Sequence, residues 1–382
     1  MTEFVFGAGS VKWPVPGFLF YMTQQELRNN LNELPNFIQN QSKVRDYLDS
    51  LKQKFINTIK EFCEGIDGIK AFQHFIGVDD KSDKGIHEFV DNLNTRIGNF
   101  NDICITCIKP DYKSRDFDKF EGLFFDDSGN CKDRMVMTNV IERGRDFYRV
   151  RGTKDNDPYE LYDHKGMYMM PHDHSSMVST ARFNLSGYPC LYLAESLYLA
   201  WEECRRPDFH TANFSRFRNV KKLTVLDLTI PDWHKLNSEA ALFRSYLSLV
   251  CSVKATDTDK DHWQYRISNL FTRLIYQHNN IDGIKYSSSK RFEKNKYRLD
   301  YGLESAVYVF LPRSVDDKHC KILASSFEMT KAYSYFYFNI YGINFISTEK
   351  AATRVYDNTV FAFFERQLQA EDTIRCTDII KS

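Results

Sequence analysis

Five short apolar segments, FYRVRG (147–152), CLYLAES (190–196), KLTVLDLTI (222–230), DGIKYSS (282–288) and SAVYVFLP (305–312), are spread along the middle of the chain. Each has the length and the Val, Ile, Leu and Tyr content of a strand. Between them lie SEAALFRSYLSLVC and HWQYRISNLFTRLIYQ, where apolar residues recur at three- and four-residue spacing, in the second through Trp263, Ile267, Leu270, Phe271 and Leu274. That is the period of an amphipathic helix. From Phe147 to about Pro312 the chain therefore reads as a domain that mixes sheet and helix, of the α+β class.

The flanks have a different texture. From Thr23 to about Phe100 the pattern is helical: Val44, Leu48, Leu51, Phe55, Ile59 and Phe62 form one stripe with charged residues opposite. GVDDKSDKG (77–85) interrupts and GIHEFVDNLNTRIGNF resumes the period. The signal weakens between about 100 and 146, with turns around DDSGNC. After Arg313, SYFYFNIYGINFI and NTVFAFFERQL are aromatic and at first strand-like, as if to extend the sheet or cover its edge. The expected organisation is a mainly helical module over 1–140, the mixed domain over 141–313 and a C-terminal extension over 314–382.

Composition narrows the function classes. With 382 residues, 42% hydrophobic and 15% aromatic, the chain has ample material for cores. Lys plus Arg and Asp plus Glu both number 51, so no basic excess points to nucleic acid. The nine cysteines are odd in number and scattered, which suits reduced thiols and a cytoplasmic protein. The start, MTEFVFGAGSVKWPVPGFLFYMT, lacks a basic region before its apolar residues, and no window reaches about 18 uninterrupted apolar residues, so neither secretion nor a membrane partner is expected.

Several residues could carry chemistry. Arg149 and Arg151, two apart on a strand, share a face, with Tyr148 and Val150 opposite. Paired guanidinium groups call for an anion, either a phosphate or a buried carboxylate. The loop ARFNLSG adds Arg182 and Asn184 before the strand that delivers Tyr192. The helix beginning at Leu197 buries Leu197, Ala200, Trp201 and Cys204, and a helical wheel turns Glu202 toward solvent while Glu203 falls at the flank beside Ala200. A flanking glutamate can serve a cleft or pair with Arg205. Ser287, Ser288 and Ser289 close a strand and could bond a ribose or phosphate or form a turn. Cys104 and Cys107 supply only half of a zinc site, with Cys131 the nearest further thiol, and His172 and His174 read as exposed loop histidines, so no metal is expected. The chain contains no glycine-rich phosphate loop, no Gly-x-Ser-x-Gly and no His-Glu-x-x-His.

Taken in order, FYRVRG, ARFNLSGYPCLYLAESLYLAWEE and IDGIKYSSSKR resemble the RES domain, the family named for its Arg, Glu and Ser. The resemblance covers about residues 147 to 312 and is most specific in the middle block. It implies a fold similar to ADP-ribosyltransferase toxins and an attack on NAD that separates nicotinamide from ADP-ribose, with inorganic phosphate or water as acceptor. NAD is then the substrate, no further cofactor is required, and a protein antitoxin is an implied partner. Carried over, the family arginine falls on Arg149, the tyrosine on Tyr192 and the glutamate on Glu203, with Ser268 and Ser288 as candidates for the serine. Val150 stands where several members have a second aromatic residue. In this picture Glu203 stabilises the developing oxocarbenium charge or holds the ribose hydroxyl. Arg149 binds the pyrophosphate, Arg151 or Arg182 holds the incoming phosphate, and Tyr192 stacks on the nicotinamide. Two other readings stay open: transfer of ADP-ribose to a macromolecule, and a RES-like binding or regulatory protein without turnover.

Overall fold

The structure, a computed structural model, describes residues 44–64, 83–109, 111–125, 138–153, 157, 160–229, 239–253, 263–278, 280–288, 306–313, 318–334, 356 and 359–381. Cys131, Ser289 and the aromatic run after Ser334 lie outside them. The strands are β1 (Thr138–Ile141), β2 (Asp146–Gly152), β3 (Leu191–Ala194), β4 (Ala212–Asn219), β5 (Leu223–Leu228), β6 (Gly283–Ser287), β7 (Ala306–Phe310), β8 (Phe327–Met329), β9 (Tyr333–Ser334) and β10 (Ile374–Arg375). They form one mixed sheet in the order β1-β5-β6-β7-β3-β2-β4-β8-β10, with β9 paired to β4. Strands β5 and β6 run parallel, and the other pairs are antiparallel. All five apolar segments singled out in the sequence are strands of this sheet, and the α+β class holds.

One junction in the sheet is thin. β2 pairs with β4 along its whole length, from Asp146 opposite Arg218 to Gly152 opposite Ala212, and β3 pairs with β7 from Leu191 to Ala194. Between β2 and β3 the register consists of Tyr148 opposite Ala194 alone. The sheet is thus two well-paired halves joined at a seam. On the far side of one half, Gly283 lets β6 close on β7, because a Cβ there would sit 2.3 Å from the Val309 carbonyl oxygen.

The helices that matter for the site are α1 (Val44–Glu64), α2 (Asp83–Cys107), α3 (Ser114–Glu121), α4 (Leu197–Glu203), α5 (Glu239–Cys251), α6 (Arg266–Gln277) and α7 (Val360–Ala370). The predicted stripe of α1 is buried throughout, and it packs in the same apolar cluster as α5, α6 and one face of the sheet. Polar contacts tie this packing down. The Tyr47 hydroxyl donates to the Leu249 carbonyl at 3.2 Å, and the Tyr246 hydroxyl donates to Asn101 Oδ1 at 2.9 Å. The N-terminal helices therefore share a core with the sheet. The opposite face carries a second cluster, with Phe147, Leu191, Leu193, Tyr308, Phe310 and Phe327.

Cys104 and Cys107 lie at the buried end of α2, and the Cys107 thiol donates to the Asp116 carbonyl at 3.2 Å. Burial pushes the Cys107 thiol up to about 11 and raises the Cys104 thiol well above its usual range, so neither is a ready thiolate. Among the described residues no group of three or more His, Cys, Asp or Glu side chains is placed to hold a metal ion. No described helix is long and apolar enough to cross a membrane.

The segment NTVFAFFERQL forms most of a helix, α7, whose buried Phe361, Phe364 and Leu368 have three- and four-residue spacing. It lies against α4 and β4. Arg216 of β4, 3% exposed, fastens it: Nε donates to the Leu368 carbonyl at 2.9 Å, Nη2 to the Glu371 carbonyl at 3.1 Å and Nη1 to Asp146 at 3.1 Å. A guanidinium buried so deeply is tolerable because its donors are used.

Candidate active site

The loop 179–188 and strand β3 lead directly into α4. Ser196 caps that helix, its hydroxyl accepting from the Leu199 N–H at 3.2 Å. The helix lies across β2 and ends at Glu203. Immediately afterwards Arg205 and Arg206 adopt left-handed backbone, with φ of 64° and 54°. Two consecutive non-glycine residues in this region are costly and persist only where the surroundings impose them. Here the turn folds Arg206 back so that its Nε donates to Glu202 Oε2 at 2.8 Å.

That turn corrects one expectation from the helical wheel. Glu202 is not a solvated surface charge: it is 5% exposed and paired with Arg206. The wheel treats a helix as having one packed side, whereas α4 is covered from a second side by the returning chain. Glu203 is half-buried, and its Oε1 accepts a hydrogen bond from the Ser288 hydroxyl. Ser288 itself is fully buried just beyond the end of β6. A residue of the β3–α4 unit is thereby tied to one that lies 85 positions later.

Tyr286, two residues before Ser288, marks the centre of the cluster, although nothing in the sequence singled it out. It is buried, its ring lies 4.8 Å from that of Phe183, and the Arg182 guanidinium carbon lies 5.6 Å from its centroid. Burial raises the Tyr286 hydroxyl far above the usual range; the Glu203 charge adds to this and Arg182 opposes it. Tyr192 belongs to the same neighbourhood: burial holds its hydroxyl protonated, Tyr286 adds to the effect, and the Phe183 backbone N–H and Arg182 oppose it. Arg182 is 8% exposed, gives Nη2 to the Val253 carbonyl at 3.2 Å, and leaves a buried Nε without a hydrogen-bond partner.

Arg149 enters from the other side. Strand alternation places it with Phe147 on the face of the second core cluster, while Tyr148 and Val150 belong to the first. Its guanidinium nevertheless feels both Tyr168 of the second cluster and Cys204, the residue after Glu203. Burial and the nearby Arg151 charge lower its pKa to about 10, and its buried Nη1 has no hydrogen-bond partner. An unpaired buried guanidinium nitrogen at the seam is the feature an anionic ligand would satisfy.

The remaining predicted residues serve local structure. Arg151 donates to the Gly166 carbonyl and covers the Tyr162 ring, its guanidinium carbon 4.8 Å from the centroid. Asn184 donates to the carbonyls of Ser179 and Leu185 at 3.1 and 3.0 Å and holds its own loop. Ser268 donates to the Tyr265 carbonyl at 3.0 Å at the start of α6. His174 bonds Asp173 at 2.8 Å on an exposed 3-10 turn, and burial lowers the pKa of His172 beside it. The structure thus gathers Glu203, Ser288, Tyr192 and Arg182 around Tyr286, sets Arg149 on the opposite face of the sheet within electrostatic reach of Cys204, and does not bring Ser268 or Asn184 to Glu203 by any contact among the described residues.

The two serines separate experimentally. Ser288→Ala removes a hydrogen bond to a carboxylate at the site, so any turnover that depends on Glu203 falls by about tenfold or more. Ser268→Ala lowers stability by about 1 kcal/mol and leaves turnover unchanged. Steady-state rates beside thermal melts of both variants check the assignment.

The RES domain profile matches residues 147–310, from β2 through β7. A protein of Bacillus subtilis (strain 168) named "Putative toxin YopC" is 23% identical over 236 residues, covering 56% of this chain and 52% of the relative. The chain thus matches about half the length of that curated relative. No solved structure matches it.

Proposed function

With a RES domain at residues 147–310 as the premise, we propose that this protein cleaves the nicotinamide–ribose bond of NAD and acts as a toxin-like effector that depletes it. Two observations carry this reading: the Glu203 carboxylate is held in place by the Ser288 hydroxyl, and the Arg149 guanidinium, which lies near Cys204, the residue after Glu203, keeps a buried nitrogen without a hydrogen-bond partner. NAD presents a matching pair of features. Its pyrophosphate is a forked anion suited to Arg149. Its nicotinamide is a cationic leaving group whose departure builds positive charge on the ribose.

In this mechanism Glu203 stabilises the oxocarbenium-like transition state or holds the ribose hydroxyl, and Ser288 fixes the carboxylate orientation so that little reorganisation accompanies the reaction. Tyr192 lies against the departing ring. Arg182, whose Nε is free while Nη2 is anchored to Val253, receives the acceptor phosphate. The carbon–nitrogen bond breaks with its electron pair going to nicotinamide, and a phosphate oxygen or a water oxygen forms the new bond to the same ribose carbon.

The reading is tested by incubating the purified protein with NAD, with and without inorganic phosphate, and identifying products by mass. Nicotinamide together with an ADP-ribose phosphate, formed only with phosphate, is the expected result. Nicotinamide with free ADP-ribose in both samples establishes hydrolysis in its place, and label transferred to added protein or RNA establishes ADP-ribosyl transfer. Absence of nicotinamide in both samples, from folded protein, overturns the proposal.

A further inference from the structure

The amide groups of α4 need an account of their own. The first N–H groups of a helix have no partner within it, and α4 is too short and too buried to leave them to water. Only Leu199 is served locally, by the Ser196 hydroxyl. The Leu197 N–H donates to Glu365 Oε1 at 2.6 Å, across 168 residues. The Tyr356 hydroxyl, which lies at the Tyr198 backbone, also donates to Glu365 Oε1. Glu365 and Tyr356 both lie beyond residue 310, outside the part of the chain that matches the RES domain.

The carboxylate is well suited to this place. It meets the positive end of the α4 dipole and accepts a charge-assisted hydrogen bond from a backbone donor. Its helix, α7, is pressed on α4 by rings: Phe361 lies 5.1 Å from Tyr198 and 5.4 Å from Trp201, centroid to centroid. Apolar packing of this kind resists separation of the two helices but tolerates sliding along their axes. The directional bond from Leu197 to Glu365 opposes that sliding. Glu203 is the last residue of α4, so an axial shift at Leu197 is transmitted to the carboxylate.

We infer that Glu365 is a positioning residue, which through the first turn of α4 sets the location of Glu203 relative to Ser288 and Arg149. The inference rests on the NAD-cleaving reading for its kinetic consequence but not for its structural one. The RES domain of this chain is then incomplete without the C-terminal segment.

The test uses the full chain, with Glu365→Ala, Glu365→Gln and Tyr356→Phe. Glu365→Ala is expected to lower kcat for nicotinamide release by about 10- to 100-fold with KM changed by less than about threefold, because a small misplacement of a catalytic group acts on the rate. Glu365→Gln, whose amide oxygen still accepts from the Leu197 N–H, recovers most of the rate. Hydrogen exchange at Leu197 accelerates in Glu365→Ala, and to a smaller extent in Tyr356→Phe, while the β4 amides keep their protection. Unchanged exchange at Leu197 in folded Glu365→Ala overturns the inference, as does a loss that appears in KM alone or is not rescued by glutamine. If the wild-type protein releases no nicotinamide, the functional reading fails, and the exchange data still decide whether Glu365 holds α4.

Discussion

Glu203→Gln lowers nicotinamide release from NAD by about 100- to 1,000-fold, equivalent to about 2.7–4 kcal/mol of transition-state stabilisation. The substitution removes the charge and keeps the shape, and the glutamine oxygen still accepts from the Ser288 hydroxyl, so the melting temperature stays close to that of the wild type. The neighbouring glutamate is the natural control. Glu202→Gln leaves turnover near the wild-type level and costs about 1–3 kcal/mol of stability, because Glu202 is 5% exposed and holds Arg206. Rates and melts on both variants separate chemistry from structure. Equal losses of rate in the two would refute the assignment of Glu203.

Arg149→Met produces the second large effect, and of a different kind. In the free protein this guanidinium is desolvated, repelled by Arg151 and unpartnered at Nη1, so replacing it with an apolar chain of similar length leaves stability unchanged or raises it. In the NAD complex the same group would be paired with the pyrophosphate, and its loss weakens binding by at least about 30-fold, the lower end of the 2–5 kcal/mol found for buried charged hydrogen bonds. Arg149→Lys restores the charge but not the fork and recovers only part of the affinity. Calorimetric titration with NAD beside thermal melts measures both halves. A variant that binds NAD normally and melts early would show Arg149 to be structural.

Much of this was visible in the chain before folding. The five apolar segments became strands because runs of Val, Ile, Leu and Tyr of that length satisfy themselves best within a sheet, and the α1 stripe found its core for the equivalent reason in helical period. Strand β4 was not legible. Its sequence ANFSRFRN looks polar, yet seven of its eight positions are buried, because Asn213, Ser215, Arg216 and Asn219 all bond to distant backbone or side-chain groups. No local pattern encodes partners at that separation.

The site divides in the same way. Glu203 was separable from Glu202 by its angle on the helix, but the burial of Glu202 depends on the left-handed turn at Arg205 and Arg206, which the wheel does not contain. The resemblance left Ser268 and Ser288 as equivalent candidates for the family serine. The structure distinguishes them through the hydroxyl that meets Glu203. Tyr286 and Glu365 were invisible because their meaning lies in contacts with Arg182 and Leu197, made only once the halves of the sheet and the C-terminal helix are assembled.

The most direct measurement is nicotinamide release from NAD by the wild-type protein and Glu203→Gln side by side, in the presence of phosphate and at NAD concentrations that saturate both. The account predicts steady release by the wild type and a loss of about 100-fold or more in the variant at equal NAD occupancy. Release by the variant at the wild-type rate, or none by a folded wild type that binds NAD, would contradict it.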